Sequence, residues 1–264
     1  MKKILARLLL VVVCSYVAVC LILWLGQENF IFYPESLAPD FEYTFLGPFD
    51  EVTLPVDGAM LNALHFWAER PKGVVLYLHG NAGSLRTWGE VAPDFVANGY
   101  DVFMLDYRGY GKSTGRISSE GVLHDDVAVA YAHLQGRYPE GEIIVYGRSL
   151  GSGLAVYVAQ SNYPKMLILE TPYYSVKELA TGSFPFVPSF LLRYPLRADR
   201  WIPKVLCPVV LFHGTRDEVI PHTSSERLAR LIETEHELFI IEGGGHNDLS
   251  EFEEYREALA RILR

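Results

Sequence analysis

The chain has few cysteines and, beyond residue 7, no cluster of basic residues. Three cysteines among 264 residues cannot build a framework of disulfides. Lys and Arg number 23 against 32 Asp and Glu, which leaves a formal net charge of -9. DNA and RNA are recognised mainly through basic surfaces that neutralise phosphates. The composition therefore argues against a nucleic-acid partner.

The chain also lacks the glycine-rich fingerprints of nucleotide-binding proteins. The segment 111–113 reads GKS after a strand-like run, but a phosphate-binding loop requires glycine where Asp106 stands. No G-x-G-x-x-G dinucleotide fingerprint occurs in the sequence. Residues 124–126 read HDD within a helical pattern, where consecutive side chains point in different directions and do not converge on a metal. We therefore expect neither a cofactor nor a metal ion.

One long uncharged run, residues 8–25, follows Lys2, Lys3 and Arg7 at the N-terminus. As a helix it would be about 27 Å long, close to the roughly 30 Å of a bilayer core. A secretory signal peptide has a shorter apolar region and a small-residue cleavage site, whereas this run ends in bulky residues such as Trp24. We predict an uncleaved single-span anchor, with a cleaved signal or a buried core helix as the alternatives.

The residues on either side of this run predict its orientation. Positive charge precedes it, whereas residues 27–50 carry five acidic side chains and no Lys or Arg. Positive flanks stay on the cytoplasmic side, so the larger C-terminal part should lie on the non-cytoplasmic (periplasmic or luminal) side. The sequence then divides into an anchor with its juxtamembrane segment, residues 1–34, and one domain, residues 35–264. An aromatic belt at the membrane interface is expected from Trp24, Phe30, Phe32 and Tyr33.

From residue 51 onward, short apolar runs alternate with helical patterns. Continuous apolar runs such as residues 73–80 (GVVLYLHG) are typical of parallel strands buried on both faces. Two runs that flank Asp57-Gly58 read as a hairpin. The pattern predicts an α/β fold, a mostly parallel central sheet with helices on both faces. Residues 172–203, rich in proline and aromatic residues, interrupt the alternation and are expected to form a cap over a pocket.

Ser149 lies in the sequence GRSLG, directly after an apolar strand-like run and before a helical pattern. In a G-x-S-x-G turn the glycines permit a sharp bend that projects the serine hydroxyl above the sheet edge. The N–H groups at the start of the following helix suit a developing anion. The context favours a nucleophile, and the alternative is an ordinary turn.

A serine hydroxyl needs a base to accept its proton. His246 follows three glycines between a strand pattern and a helix pattern, so it should lie on a loop at a carboxyl strand end. We predict that His246 is this base. The other downstream histidines, His213, His222 and His236, are expected to be structural.

Serine nucleophiles of this kind usually need a third residue, an acid. The acid fixes the tautomer of the histidine and stabilises the imidazolium. Asp217 follows the strand-like run CPVVLFHG by a few residues, in the turn HGTRDEVIP. It is favoured over Glu218, its neighbour, and over Glu170, which ends an earlier strand.

Two N–H donors are also needed for the oxyanion. The backbone N–H of Leu150, next to the serine, is one candidate. The second should come from the loop after the third strand, HGNAG, where the main chain of Asn81 or Ala82 can approach. His79, in the same loop, is expected to be exposed and to orient the loop.

The segments HGNAG, LDYRGYGKS, GRSLGSG, HGTRDEVIP and GGGHNDL, in this order, resemble the α/β-hydrolase superfamily. More narrowly, the chain resembles a membrane-associated serine-hydrolase branch that includes eukaryotic protein depalmitoylases and uncharacterised bacterial proteins. The resemblance covers about residues 50–264. It implies Ser149 as nucleophile, Asp217 as acid and His246 as base, with Asn81 and Leu150 at the oxyanion hole.

These observations predict a serine hydrolase that cleaves carboxylic esters or thioesters through an acyl-enzyme intermediate. The aromatic cap and the membrane tether suggest small or lipid-like acyl substrates. An amide or peptide hydrolase with the same triad is the alternative within enzymes. A membrane-tethered binding protein without catalytic activity is the alternative outside them.

Overall fold

The computed structural model describes all residues from 1 to 264, and its centre is an eight-stranded sheet. The strands in chain order are β1 (Phe49–Val56), β2 (Ala59–Phe66), β3 (Val74–Leu78), β4 (Asp101–Leu105), β5 (Ile143–Arg148), β6 (Met166–Glu170), β7 (Val209–Gly214) and β8 (His236–Ile241). Their spatial order is β8-β7-β6-β5-β3-β4-β2-β1. The only antiparallel pairs are those that β2 forms with β1 and with β4. The predicted mostly parallel sheet and the hairpin at Asp57-Gly58 are confirmed.

The sheet is buried on both faces because its central strands are continuously apolar. All five residues of β3 and of β4 are buried. Alternate residues of a strand point to opposite faces. Accordingly, Leu76 belongs to an apolar cluster of 40 buried residues, whereas Tyr77 belongs to a second cluster of 21. Helices that cover both faces bury these two clusters, as the apolar runs predict.

Ten α-helices accompany the sheet. They are α1 (Lys2–Leu25), α2 (Gln27–Ile31), α3 (Leu85–Trp88), α4 (Ala92–Val96), α5 (Glu120–Gln135), α6 (Leu150–Ala159), α7 (Val176–Ser183), α8 (Ala198–Trp201), α9 (Thr223–Ala229) and α10 (Glu253–Ile262). Ser119 caps α5 by accepting a hydrogen bond from the Val122 N–H at 3.2 Å. Such a cap satisfies one of the N–H groups that the first turn leaves free.

Helix α1 is long and apolar enough to cross a membrane. It has 24 residues and a mean hydropathy of 2.9 over its most apolar window. No α1 residue is buried in the protein. The short helix α2 follows at once and turns the chain onto the body, where Tyr33–Pro34 pairs in parallel with Ala82–Gly83.

The predicted aromatic belt is wrong for one of its four members. Phe32 is buried and packs edge-on against Tyr194, with ring centroids 5.2 Å apart. The chain has already turned inward at α2, so Phe32 contributes to the core. The other three members, Trp24, Phe30 and Tyr33, have exposed side chains.

Residues 172–203 lie between β6 and β7 and contain α7, α8, one short 3₁₀ turn and the start of a second. We call this segment the cap. It contacts α2 through Gln27, whose side-chain amide donates to the Leu191 carbonyl at 2.7 Å and accepts from the Arg193 N–H at 2.8 Å. The cap and the N-terminal segment are therefore joined directly to each other.

Candidate functional site

Ser149 stands at the sharp turn between β5 and α6. Its backbone has φ +50° and ψ -115°, a left-handed conformation that costs a non-glycine residue energy. The surroundings hold it there: the Ser149 N–H donates to the Glu170 carbonyl at 3.0 Å. The Ser152 hydroxyl donates to the Ser149 carbonyl at 2.6 Å. The turn thus presents the Ser149 side chain at the carboxyl edge of the sheet.

The two glycines of the motif are there because the turn has no room for a side chain. A Cβ on Gly151 would lie 2.0 Å from the Leu78 carbonyl oxygen. A Cβ on Gly147 would lie 2.5 Å from the Gly151 carbonyl oxygen. Both obstacles are backbone atoms and cannot rotate away. The G-x-S-x-G spacing follows from this close approach of strand, turn and helix.

His246 lies between Ser149 and Asp217. Its Nε2 is 2.9 Å from the Ser149 Oγ, and its Nδ1 is 2.7 Å from the Asp217 Oδ2. An ionised carboxylate only accepts hydrogen bonds, so Nδ1 carries the hydrogen. The Nε2 of the neutral ring is then free to accept the hydrogen of the serine hydroxyl. The structure brings together these three side chains, which span 97 residues of sequence.

The Asp217 carboxylate is shielded from solvent and is held by several donors. Its Oδ1 accepts the N–H groups of Val219 and Ile220, each at 2.8 Å. Burial acts to raise the pKa of Asp217, but hydrogen bonds from His213 and His246 and from the Ile220 N–H outweigh it. The pKa of Asp217 therefore lies well below its ordinary value. The side chain remains a carboxylate beside His246 throughout the neutral range.

His213 is a residue of the site that sequence reasoning treated as structural only. It is buried at the end of β7, with its Nε2 3.2 Å from the Asp217 Oδ2 and 2.9 Å from the Ile220 carbonyl oxygen. A carbonyl can only accept, so this nitrogen carries a hydrogen. The Nδ1 lies 2.6 Å from the Ser225 Oγ. A histidine at a strand end, four residues before the acid, was the signal available in the sequence.

Asn81 and Leu150 line the same cavity as Ser149. Leu150 is the first residue of α6, and the first N–H groups of a helix have no acceptor inside the helix. The backbone N–H of Asn81 has no hydrogen-bond partner. The Asn81 carbonyl accepts from the Tyr33 N–H at 2.9 Å and from the Tyr110 hydroxyl at 2.7 Å, which secures the loop. Two N–H groups are thus available near the serine.

His79 differs from its predicted exposure, because its side chain is fully buried. Its Nδ1 lies 2.7 Å from the Gly80 carbonyl oxygen, and its Nε2 lies 3.5 Å from the Asp106 Oδ1. Its own carbonyl accepts the Tyr107 hydroxyl at 2.9 Å. The predicted effect on loop orientation agrees with these contacts, but the residue acts from within the core.

The alternative acids and bases lie elsewhere. Glu170 is buried and forms an ion pair with Arg148 at 3.2 Å, together with hydrogen bonds from two tyrosine hydroxyls. Glu218 is exposed to solvent. His222 precedes α9 beside Glu226, and His236 begins β8 with its side chain exposed. None of these side chains hydrogen-bonds to the Ser149 or His246 side chain.

A cavity of about 280 Å³ opens beside Ser149. It is lined by 22 residues, of which 15 are hydrophobic, and none is Asp, Glu, Lys, Arg or His. Three parts of the chain form its walls: the end of α1 with α2, the cap, and the segments that carry Asn81, Ser149 and Ile220. Most protein sites for apolar ligands have this character, a largely hydrophobic wall with a few polar groups at one end.

The chain is similar in sequence to several known proteins. A family model described as serine aminopeptidase, S33, matches residues 69–198. An uncharacterised protein of Mycobacterium tuberculosis is 31% identical over 237 residues, with 87% of this chain and 84% of that protein covered. Alpha/beta hydrolase domain-containing protein 17B of Xenopus laevis is 32% identical over 205 residues, with coverage of 73% and 66% respectively.

The fold is also similar to that of a solved structure. The esterase Pf2001 of Pyrococcus furiosus superimposes with a TM-score of 0.71 at 19% sequence identity. The match covers 88% of this chain and 98% of the esterase. At this level of identity the comparison concerns the path of the backbone, which the two proteins share across nearly the whole domain.

Proposed function

Because the chain belongs to the α/β-hydrolase superfamily, we propose that it is a serine hydrolase that cleaves ester or thioester bonds of apolar acyl groups. The observation that carries this proposal is the pair of contacts made by His246, 2.9 Å to the Ser149 Oγ and 2.7 Å to the Asp217 Oδ2. These three residue types in this order along the chain are those that serine hydrolases of this fold class use.

In the proposed reaction the Ser149 Oγ attacks the acyl carbon while its proton passes to the Nε2 of His246. The tetrahedral intermediate collapses when the bond to the leaving group breaks, and His246 returns the proton to that alcohol or thiol. The acyl group is then esterified to Ser149. Water, deprotonated by His246, attacks the acyl-enzyme, and the free acid leaves while Ser149 recovers its proton.

Three further groups support the charged states of this cycle. The Asp217 carboxylate stabilises the imidazolium and keeps the hydrogen on Nδ1. The backbone N–H groups of Asn81 and Leu150 would stabilise the oxyanion, because both line the cavity next to Ser149 and need an acceptor.

The cavity supports an acyl substrate over a peptide with a free amino terminus. An aminopeptidase, as in the description of the matching family model, must bind a charged ammonium group. A buried charge needs a charged or strongly polar partner, and the 22 residues of the lining include no carboxylate. An apolar acyl chain has no such need. Hydrolysis of an aminoacyl amide at a rate comparable to that of an ester would favour the amide-hydrolase alternative.

We also propose that α1 anchors the protein in a membrane, with residues 1–34 as anchor and juxtamembrane segment and residues 35–264 as the catalytic domain. The length and hydropathy of α1 and its lack of buried residues support an anchor. The basic residues before α1 and the acidic residues after it favour a catalytic domain on the non-cytoplasmic side.

A fluorophosphonate probe tests the nucleophile in detergent-solubilised protein. We expect the wild type to be labelled at Ser149 and the Ser149→Ala variant to lose both labelling and ester turnover. Ser161→Ala, at an exposed serine just after α6, is the matched control and should behave like the wild type. Labelling of Ser149→Ala at the wild-type level would contradict the mechanism. A wild type that never reacts would instead favour a binding protein without catalytic activity.

A series of p-nitrophenyl esters and matching thioesters of increasing chain length then tests the substrate class. An apolar cavity should raise kcat/KM as methylene groups are added, until the acyl chain fills the space. A rate that falls steadily from acetate onward would contradict the proposed acyl preference while leaving the nucleophile in place.

A further inference from the structure

The cap touches the apolar helix α1 far from its end. The Tyr16 hydroxyl donates a hydrogen bond of 2.8 Å to the Phe186 carbonyl. Tyr16 precedes Leu25, the last residue of α1, by nine positions, which is about 13 Å along a helix axis. If Leu25, at the end of α1, lies at the membrane surface, then Tyr16 and the Phe186 carbonyl that it contacts lie well below that surface.

The part of the cap that reaches Tyr16 has the chemistry of a membrane-facing segment. Residues 179–192 contain no charged side chain. Within them we define the cap tip as residues 184–190. Phe186 and Phe190 of the cap tip are each 83% exposed, whereas large aromatic side chains are usually covered in soluble proteins. Exposed apolar surface of this kind marks an interaction with a partner or a lipid phase.

Part of the cap-tip backbone is already satisfied, which reduces the cost of placing it in lipid. Pro185 and Pro188 have no N–H group. The Val187 N–H donates to the Phe184 carbonyl at 3.0 Å. The Phe186 carbonyl accepts the Tyr16 hydroxyl, so each of these two polar groups is the partner of the other.

Charged and amphipathic groups sit where the apolar stretch of the cap ends. Arg193, the first charged residue after it, forms an ion pair with Glu28, just beyond α1. The Arg193 guanidinium lies over the Trp24 ring, 5.6 Å from its centroid, and the Tyr194 hydroxyl donates to Glu28 at 2.6 Å. Trp and Tyr concentrate at the boundary between a bilayer and water, and Arg can place its charged end there while its stem stays in apolar surroundings. This cluster therefore marks the membrane surface at the end of both apolar segments.

The cavity connects this region with the serine. Leu23 and Trp24 of α1 and Phe184 and Val187 of the cap line the same cavity as Ser149. We infer that the cap tip inserts into the leaflet that holds the end of α1, so that acyl chains pass from the phospholipid bilayer into the cavity. The inference rests on the proposed hydrolase function and anchor, and it makes the substrate a membrane-resident acyl ester.

A depth measurement tests the inserted cap without relying on catalysis. Nitroxide labels are placed on Phe186→Cys and, separately, on Tyr163→Cys, each in a Cys14→Ser, Cys20→Ser background. Cys207 is buried and stays unlabelled. Tyr163 is an exposed aromatic residue that precedes β6, at the opposite edge of the sheet from Ser149. The full chain is reconstituted in palmitoyl-oleoyl phosphatidylcholine vesicles.

We expect the label at position 186 to collide with oxygen, which concentrates in lipid, and the label at 163 to collide with a water-soluble nickel complex. A nickel-accessible label at 186 would overturn the inference. A label at 186 shielded from both reagents would also overturn it, because it would show a protein partner such as a second copy. The native Cys14, labelled in a Cys20→Ser variant, reports on the anchor alone, so a failed anchor is distinguished from a cap tip in water.

Kinetics provide the second test. The double variant Phe186→Ser, Phe190→Ser should lose at least about tenfold in rate on p-nitrophenyl palmitate held in vesicles, because two aromatic side chains no longer enter lipid. Its rate on soluble p-nitrophenyl acetate should stay within about twofold of the wild type, which shows an intact site. The matched control is Tyr163→Ser, Leu206→Ser, which removes two exposed apolar side chains from the opposite edge and should change neither rate. Equal losses on both substrates, or on neither, would contradict the inference.

Discussion

Arg148, the residue before the candidate nucleophile, forms a buried ion pair with Glu170 at the end of the neighbouring strand. The Nε–Oε1 distance is 3.2 Å, and the two side chains are 11% and 5% exposed. The same guanidinium donates to the His246 carbonyl and to the Asn247 side chain, each at 3.3 Å. Arg148, at the first variable position of the G-x-S-x-G motif, therefore links the serine turn to the loop that carries His246.

Replacing Glu170 with Gln should destabilise the protein strongly. Arg148 would remain buried without its counter-charge, and breaking a buried pair in this way costs about 3–5 kcal/mol. We expect a markedly lower thermal midpoint in detergent. The matched control is Glu178→Gln, which breaks the exposed pair with Arg227. That variant should change the midpoint little, because exposed pairs contribute little. Equal shifts for both variants would show that the Arg148–Glu170 pair has no special role.

Replacing Asp217 with Asn should leave the fold in place and lower kcat by about 10³–10⁴-fold, as in other triads of this kind. The amide oxygen of the new side chain can still accept the two N–H groups now bound to Oδ1, so its NH₂ group faces His246. That group donates to Nδ1 and drives the hydrogen to Nε2, which then cannot accept the serine proton. Steady-state kinetics with a short ester measure the loss. A variant with more than a tenth of the wild-type kcat would contradict the assigned acid.

The stability of the folded protein should depend on Asp217 at acidic pH. The pKa of Asp217 is lowered in the folded state, whereas an Asp in an unfolded chain titrates near 3.9. Stability gained from this difference is present above about pH 4 and is lost as the pH falls toward the lowered pKa. Chemical denaturation at successive pH values should show the gap between wild type and Asp217→Asn narrowing below about pH 4. Parallel curves over that interval would mean that the carboxylate is not stabilised by the fold.

The glycine after the serine should tolerate no side chain. In Gly151→Ala the new methyl group would meet the Leu78 carbonyl oxygen at 2.0 Å, and strand and helix would have to separate. We expect a loss of roughly 2–3 kcal/mol in the free energy of unfolding, together with lost turnover. Gly121→Ala, within α5, is the control: its nearest neighbour would be 3.7 Å away. It should be neutral or stabilising by up to about 1 kcal/mol. A Gly151→Ala protein of normal stability and activity would contradict the account of the turn.

Local chemistry made the fold class and several elements predictable from the sequence. Buried parallel strands need continuous apolar runs, and a sharp turn against the Leu78 carbonyl needs glycine at 147 and 151. The strand–turn–helix pattern around Ser149 follows from short-range constraints, which a linear sequence records directly. Asp217 and His246 became candidates because each follows a strand pattern, and the resemblance to known motifs implied the same pair.

Only the tertiary structure could decide which distant groups meet. His213 binds Asp217, Glu170 pairs with Arg148, and Phe32 lies in the core. The Tyr16 hydroxyl donates to the carbonyl of Phe186, 170 residues along the chain. Burial and hydrogen bonding between remote segments depend on how the elements pack, and side-chain type at one position does not specify that packing. The sequence by itself determined the elements and the candidate chemistry, and the packing of the cap against α1 and α2 formed the cavity beside Ser149.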